Sequence, residues 1–109
     1  MKNVIPFKKV KRKTDSNLSV HEALKIIRLL AQNSKNVLII QHARDRQLKH
    51  GITRRQIDIC LKKGVVSEGP FMNLHGNWQV NVSRLAAGEE ITCTVAIEEE
   101  QRLIVVTVF

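Results

Sequence analysis

The spacing of apolar residues changes at Gly64, and this change most limits the folds available to the chain. Before Gly64, apolar residues recur at helical spacing, as Val20, Ala23 and Ile27 do. After Gly64 they alternate with polar residues, most clearly over residues 77–83. Helical patterns followed by strand patterns predict an α+β fold in which helices cover one face of a sheet.

Two capping boxes indicate where helices begin. Ser19 is followed three residues later by Glu22, and Thr53 is followed at the same spacing by Gln56. In such a pair each side chain accepts a hydrogen bond from the other residue's backbone N–H. Gly64 is typical of the residue that ends a helix. The sequence therefore predicts one helix from Ser19 and another from Thr53.

The second half of the chain predicts a meander of strands. Two segments alternate, around Trp78–Val82 and Ile91–Ile97, and "LIVVTVF" at the end is apolar on both faces, as in a central strand. A weaker strand, "VVSEG", precedes them and is expected to break at Pro70, while "VLII" before Gln41 is expected to be a short extended entry. We predict N-terminal helices packed on a curved antiparallel sheet of three to four strands. They form one domain over residues 18–109, and a basic arm occupies residues 1–17.

The charge of the chain is high and unevenly distributed. Its 109 residues include 18 Lys and Arg against 10 Asp and Glu, a formal net charge of +8. Residues 41–63 contain seven of these cations and residues 8–13 five, whereas residues 85–101 contain five glutamates and no Lys or Arg. This separation predicts one basic face and favours a polyanionic partner such as nucleic acid.

Several classes of protein are disfavoured by what the sequence contains. No apolar run is long enough to span a bilayer, and no secretory leader pattern is present. Cys60 and Cys93 both lie inside apolar runs, without the spacing of a metal site. We expect a cytoplasmic protein with buried reduced thiols and no metal or other cofactor.

The segment "QHARDRQLKHGIT", residues 41–53, has the composition of a chemical site. In a helix, His42, Arg46 and His50 would share one face. The two histidines would then be roughly 12 Å apart along the axis, with a cation between them and no carboxylate or cysteine to complete a metal shell. Two interpretations remain open: a solvated polar helix, or a phosphodiester site in which arginine binds phosphate and histidine transfers protons.

Two residues in the strand region could face a cleft that they share with the His- and Arg-rich segment 41–53. Arg84 follows the strand that begins at Trp78, where a surface arginine is the simpler interpretation. Thr107 interrupts an otherwise apolar terminal strand, either as a hydrogen-bonded strand hydroxyl or as one that faces a cleft.

These segments resemble a bacterial family, the domain of unknown function numbered 4258. Its motif runs His-Ala-x-x-Arg, then Arg-Gly-Ile, and closes on a Val/Ile-Thr-Val-Tyr strand; the resemblance covers about residues 36–109. His50 stands where the family more often has arginine, and Phe109 where it often has tyrosine. The matching positions are His42, Ala43, Arg46, Gly51, Ile52, Val106, Thr107 and Val108.

This family is in turn similar to the RelE/BrnT-like small toxins of toxin-antitoxin modules. The resemblance implies a RelE-like fold that holds RNA on the concave face of the sheet. It also implies metal-independent endoribonuclease (mRNA interferase) activity, often on ribosome-bound mRNA, and a cognate antitoxin. We therefore expect a catalytic group of His42, Arg46, His50 and Arg84, and RNA-backbone contacts from Arg44, Lys49, Arg54 and Arg55.

Two other hypotheses stay open at this point. The same arginines suit a non-catalytic nucleic-acid-binding regulator or ribosome-associated module, in which the histidines have no essential role. They also suit a protein-interaction module whose basic face docks an acidic partner.

Overall fold

The computed structural model describes residues 18–86, 88–99 and 101–109, so the predicted basic arm lies outside the described residues. The described part is an α+β structure with three α-helices and a five-stranded mixed sheet. The helices are α1 (Val20–Ala31), α2 (Gln41–His50) and α3 (Arg54–Lys63), with a short 3-10 helix at Ser34–Asn36. The strands are β1 (Val37–Ile39), β2 (Val65–Met72), β3 (Trp78–Ala86), β4 (Glu89–Glu98) and β5 (Arg102–Val108).

Both predicted capping boxes are present. The Ser19 hydroxyl accepts a hydrogen bond from the Glu22 backbone N–H at 3.0 Å, and the Glu22 carboxylate accepts one from the Ser19 N–H at 3.1 Å. Thr53 and Gln56 form the same reciprocal pair at 3.1 and 2.8 Å. These caps satisfy backbone donors that have no partner within the helix, and so they define where α1 and α3 begin.

The predicted sheet of three to four antiparallel strands was wrong in number and in direction. The strand order is β1-β5-β4-β3-β2, and β1 runs parallel to β5 while the other pairs are antiparallel. The segment expected to be a mere extended entry is therefore strand β1. A strand of three residues is too short to show a recognisable alternation of apolar and polar residues. Its partner strand, β5, is also distant in the sequence, so no local pattern indicates the pairing.

The placement of β1 also corrects the prediction that the helices are N-terminal to the sheet. β1 separates α1 from α2, so helices and strands interleave at the start of the described chain. The prediction that "LIVVTVF" is a central strand is confirmed, because β5 is paired on both sides.

The expected break at Pro70 is not observed. β2 continues through Pro70 to Met72, with two register shifts against β3. Proline lacks the N–H that a central strand needs, but β2 is an edge strand, where a missing donor is tolerated.

The core lies between the helices and one face of the sheet. Ala23, Ile27, Ile57 and Leu61 from α1 and α3 are fully buried against inward-facing strand residues, among them Val80, Val82, Val95, Leu103 and Val105. Cys60 and Cys93 are buried and free, as predicted. A hydrogen bond with the Cys60 thiol, together with burial, raises the pKa of the Cys93 thiol and keeps it protonated.

The other face of the sheet carries no helix in the described structure. Successive strand residues point to opposite faces of the sheet. The residues that alternate with the core residues along each strand therefore form this second, open face. On β3 and β4 it carries Gln79, Asn81, Ser83, Thr92, Thr94 and Ala96. We call this surface the open sheet face.

Gly64, predicted to end α3, is required for a different reason from the expected one. Its backbone is extended, with φ −75° and ψ 179°, and not left-handed. A Cβ at this position would stand 2.5 Å from the Cys60 carbonyl oxygen and 2.8 Å from the Ser83 carbonyl oxygen. Glycine therefore permits the close approach of the α3 end to strand β3.

The substitution Gly64→Ala should lower the free energy of unfolding by about 1–3 kcal/mol, because backbone atoms must move to admit the methyl group. Chemical denaturation followed by circular dichroism measures this loss. Gly51→Asn is the matched control, since no atom lies within 4 Å of the added Cβ at φ 68° and asparagine tolerates that conformation. A loss at Gly64 no larger than that at Gly51 would contradict the close-approach explanation.

Candidate nucleic-acid interface

Helix α2 places three predicted site residues along one flank. Residues 41–50 are helical, so His42, Arg46 and His50 follow one another at one-turn intervals. Ala43, fully buried, fixes the helix against the core, and α2 packs on β5. His42 and His50 are exposed, whereas Arg46 between them is half-buried. The helix therefore places these three residues at successive turns, with the two histidines roughly 12 Å apart along the axis.

The local sequence explains where this polar helix ends, but it supplies no side-chain cap where the helix begins. α2 has no side-chain cap at Ile40, and it ends at Gly51, whose left-handed φ of 68° few residues other than glycine adopt. The Gln47 amide then donates to the Ile52 carbonyl at 3.1 Å and joins the helix end to the next segment.

Arg46 has a shielded donor with no acceptor. Among the described residues, three buried side-chain polar atoms lack a hydrogen-bond partner: Arg46 Nε, Arg84 Nε and Thr107 Oγ1. Leaving a buried donor unpaired costs about 1–3 kcal/mol, and such a group in a native protein needs an explanation, for which strain, an ordered water and a bound ion or ligand are the alternatives. Two of the three atoms belong to arginines, whose guanidinium groups suit phosphate.

The strand register places Arg84 and Thr107 toward the sheet end where α2 begins, but on opposite faces. Arg84 shares the helix-covered face with Val80 and Val82, whereas Thr107 lies opposite Thr94 on the open sheet face. The Ile40 N–H donates to the Val105 carbonyl at 3.3 Å, so α2 starts beside the second half of β5. Arg84 is opposite Ile91 on β4, close to where β5 ends. Arg84 is nevertheless two strands from β5 and has no hydrogen bond to α2. It lies within β3, not after it as predicted.

The predicted backbone-contact residues fall into two groups. Arg44, Lys49 and Arg55 are exposed, and none is in an ion pair within the described residues. Arg54 has structural partners: its Nη2 donates to the carbonyls of Ser34 and Val37 at 3.2 and 3.3 Å. Its Nε also pairs with Asp58 at 3.1 Å. Arg54 thus anchors the start of α3 to β1.

The cations and anions are only partly separated in the structure, since Asp45 and Asp58 lie on α2 and α3 and Arg102 pairs with Glu98. The glutamates of the second half do not form one patch. Glu89 and Glu90 lie at the start of β4, and Glu98 and Glu99 at its end, at opposite ends of a ten-residue strand. The exposed surfaces of α2 and α3 carry Arg44, Lys49, Arg55, Lys62 and Lys63. We call these exposed cations of the two helices the basic surface.

The sequence did not reveal a chain of hydroxyl groups across the open sheet face. The Ser83 hydroxyl bonds to those of Ser67 and Thr92, each at 2.8 Å, and the Thr94 hydroxyl donates to Asn81 at 2.7 Å. Thr107 pairs opposite Thr94, yet its own hydroxyl has no partner. Alternating polar residues showed that these positions share a face, but only the register between strands brings them into contact.

Neither a metal cluster nor a membrane-spanning helix is found in the part of the chain that the structure describes. No group of three or more His, Cys, Asp and Glu side chains there is placed to hold a metal ion. The longest helix among the described residues, α1, has 12 residues, and none of the described helices has the length and hydropathy of a membrane span.

The fold and α2 define a small basic α+β domain in which an arginine lies between two histidines on one helix flank. The model of the family "Domain of unknown function (DUF4258)" matches residues 39–109, and the chain belongs to that family. The match includes α2, α3 and strands β2 to β5, and α1 lies outside it. No curated protein and no solved structure matches the chain.

The contacts of Arg54 predict that its removal destabilises the fold, whereas removal of the neighbouring Arg55 does not. Arg54→Ala should lower the free energy of unfolding by about 1 kcal/mol, because it removes bonds from a partly exposed cation to two carbonyls and a carboxylate. Arg55→Ala is the matched control and should change it by less than about 0.5 kcal/mol. Equal effects of the two substitutions in chemical denaturation would contradict the anchoring role.

Proposed function

We propose that the protein is an RNA-binding toxin of the RelE/BrnT-like type, acting as a metal-independent endoribonuclease (an mRNA interferase) of a toxin-antitoxin module. The observation that carries this proposal is Arg46, whose shielded Nε lacks an acceptor and which lies between His42 and His50 on one flank of α2. A cation flanked by two proton-transfer groups is what cleavage of a phosphodiester requires.

The chemistry follows from these three side chains. The Arg46 guanidinium binds the non-bridging oxygens of the scissile phosphate and stabilises the negative charge that grows there. His42 removes the proton of the neighbouring 2′-hydroxyl, and the 2′-oxygen forms a bond to phosphorus as the bond to the 5′-oxygen breaks. His50 gives a proton to the departing 5′-oxygen. The products are a 2′,3′-cyclic phosphate and a 5′-hydroxyl.

The helix geometry suits this division of roles. His42 and His50 each lie one turn from Arg46, about 6 Å along the axis. A phosphate over Arg46 would have a histidine on either side, as an attacking and a leaving oxygen on opposite sides of phosphorus require. Exposure of both histidines leaves them accessible to RNA.

The remaining predicted residues would bind RNA phosphates without taking part in proton transfer. Arg44, Lys49 and Arg55 are exposed on the same two helices and would contact RNA phosphates, with Arg54 adding charge beside its structural bonds. Arg84, with its own unpaired Nε at the same sheet end, would hold a second phosphate oxygen or a neighbouring phosphate. The substrate would include mRNA on ribosomes in the cytoplasm, and an antitoxin would cover this basic surface.

Expression of the protein should arrest growth, and His42→Ala or Arg46→Ala should relieve the arrest with the fold intact. In cleavage of RNA, alone or with translating ribosomes, His42→Ala should reduce the rate by about 10²–10⁴-fold, the usual contribution of an acid–base group. Cleavage is measured by the appearance of 2′,3′-cyclic ends. His21→Ala and Lys25→Ala are the matched controls, because both residues are exposed on α1 outside the basic surface.

Full toxicity of both the His42 and Arg46 variants would contradict the site assignment. Salt-sensitive RNA binding by the wild-type protein without cyclic ends would instead favour the non-catalytic nucleic-acid binder. Tight binding of an acidic protein with no affinity for RNA would favour the interaction module.

A further inference from the structure

The open sheet face contains a groove that the proposed reaction does not use. Its volume is about 840 Å³, within the range of about 300–1,000 Å³ typical of small-ligand sites. Its apolar lining residues are Ile40, Leu74, Ala96, Ile104 and Val106, and polar side chains complete the lining. Since Ile40 immediately precedes α2, the groove begins next to the flank that carries His42.

One polar group of the groove has its orientation fixed by a neighbour. The Asn73 side-chain oxygen accepts from the backbone N–H groups of His75 and Asn77, at 2.9 and 3.0 Å. Its nitrogen must then be the donor to the Gln79 side-chain oxygen, at 3.0 Å. This assignment leaves the Gln79 amide nitrogen, which has no acceptor among the described residues, as a donor at the groove.

The second polar group at the groove is the Glu98 carboxylate on β4, which is held by an ion pair with Arg102 on β5. Glu98 also lines the groove, and one of its carboxylate oxygens accepts from Arg102 Nε at 2.6 Å. Its other oxygen is left as an acceptor for a ligand. Gln79 pairs directly opposite Ala96, and Glu98 is two residues beyond Ala96 on the same face. The donor and the acceptor are therefore diagonal neighbours, roughly 7–8 Å apart at the backbone, and the small Ala96 side chain adjoins both.

An apolar groove bounded by an oriented amide donor and a carboxylate selects a particular kind of ligand. The ligand needs a planar ring, a carbonyl that accepts from Gln79, and adjacent N–H groups that donate to Glu98. Among the RNA bases, only guanine has a carbonyl next to a ring N–H and an amino group on one edge. Adenine has no carbonyl, and uracil and cytosine have fewer donors on that edge. The acidic Glu98 and Glu99 also disfavour phosphate within the groove itself.

We propose that the groove is a guanine-binding site, taking either a guanine of the RNA or the base of a free guanine nucleotide. Where the base belongs to RNA, the inference rests on the proposed function and adds a base preference to it. The phosphate then lies on the α2 flank, and a guanine of the same strand enters the groove past Ile40 and Val106.

Fluorescence anisotropy with the full-length protein tests this site independently of cleavage. The probes are labelled UUGUU, UUAUU and UUGUU with inosine in place of guanosine, with GMP and AMP as unlabelled competitors. The guanine oligonucleotide should bind at least about 10-fold more tightly than the adenine one. The affinity of the inosine oligonucleotide, whose base lacks the amino group, should lie between those of the other two oligonucleotides. GMP should compete better than AMP.

Glu98→Gln and Gln79→Met should abolish this preference while leaving affinity for UUAUU unchanged. Ala96→Leu, which fills the groove, should do the same. Glu90→Gln and Gln32→Met are the matched controls, since both residues are exposed and lie outside the groove. Chemical denaturation of each variant checks that a lost preference does not come from a lost fold.

The outcomes separate the two proposals. RNA binding with no preference for guanine, or a preference that survives both the Glu98 and the Gln79 substitution, overturns the guanine site and leaves the proposed ribonuclease standing. Binding of GMP without measurable RNA binding overturns the ribonuclease and identifies the free nucleotide as the ligand. Binding of neither GMP nor RNA overturns both.

Discussion

The parallel pairing of β1 with β5 determines where the candidate site lies. The pairing ends with the hydrogen bond between Ile40 and Val105, and α2 begins at the next residue. Ala43 then anchors the helix to the core, so the flank with His42 and Arg46 has a fixed position relative to the sheet. A three-residue strand thereby positions most of the residues with which the protein could act on a phosphate.

The charges and the polar groups divide the molecule into two surfaces with different chemistry. The outer sides of α2 and α3 are cationic and exposed, which suits long-range attraction of a polyanion and contact with its backbone. The open sheet face is nearly free of cations and instead presents hydroxyl, amide and carboxylate groups fixed by one another, as in the pair Asn73 and Gln79. Such groups distinguish ligands by hydrogen bonding and contribute less to overall affinity.

Local signals in the sequence were sufficient to predict α1 and α3, whereas α2 was considered only as one possibility for residues 41–50. Capping boxes, the Gly51 turn and the spacing of His42, Arg46 and His50 all act within a few residues, so they can be recognised without the fold. The sheet was predicted less well, because β1 and the continuation of β2 past Pro70 depend on partners that are distant in sequence. The unpaired Arg46 donor, the structural bonds of Arg54 and the groove at Gln79 result from packing between elements, which no local pattern contains.

The distance in sequence between β1 and β5 has a consequence for how the site is assembled. Val37 pairs with Leu103, a separation of 66 residues (103 − 37), and contacts this distant form slowly because a long loop must close first. The capping boxes can start α1 and α3 early, but α2 has nothing to pack on until β5 joins the sheet. The surface proposed to bind and cleave RNA therefore depends on the closure of this long loop, because α2 follows β1 directly and packs on β5.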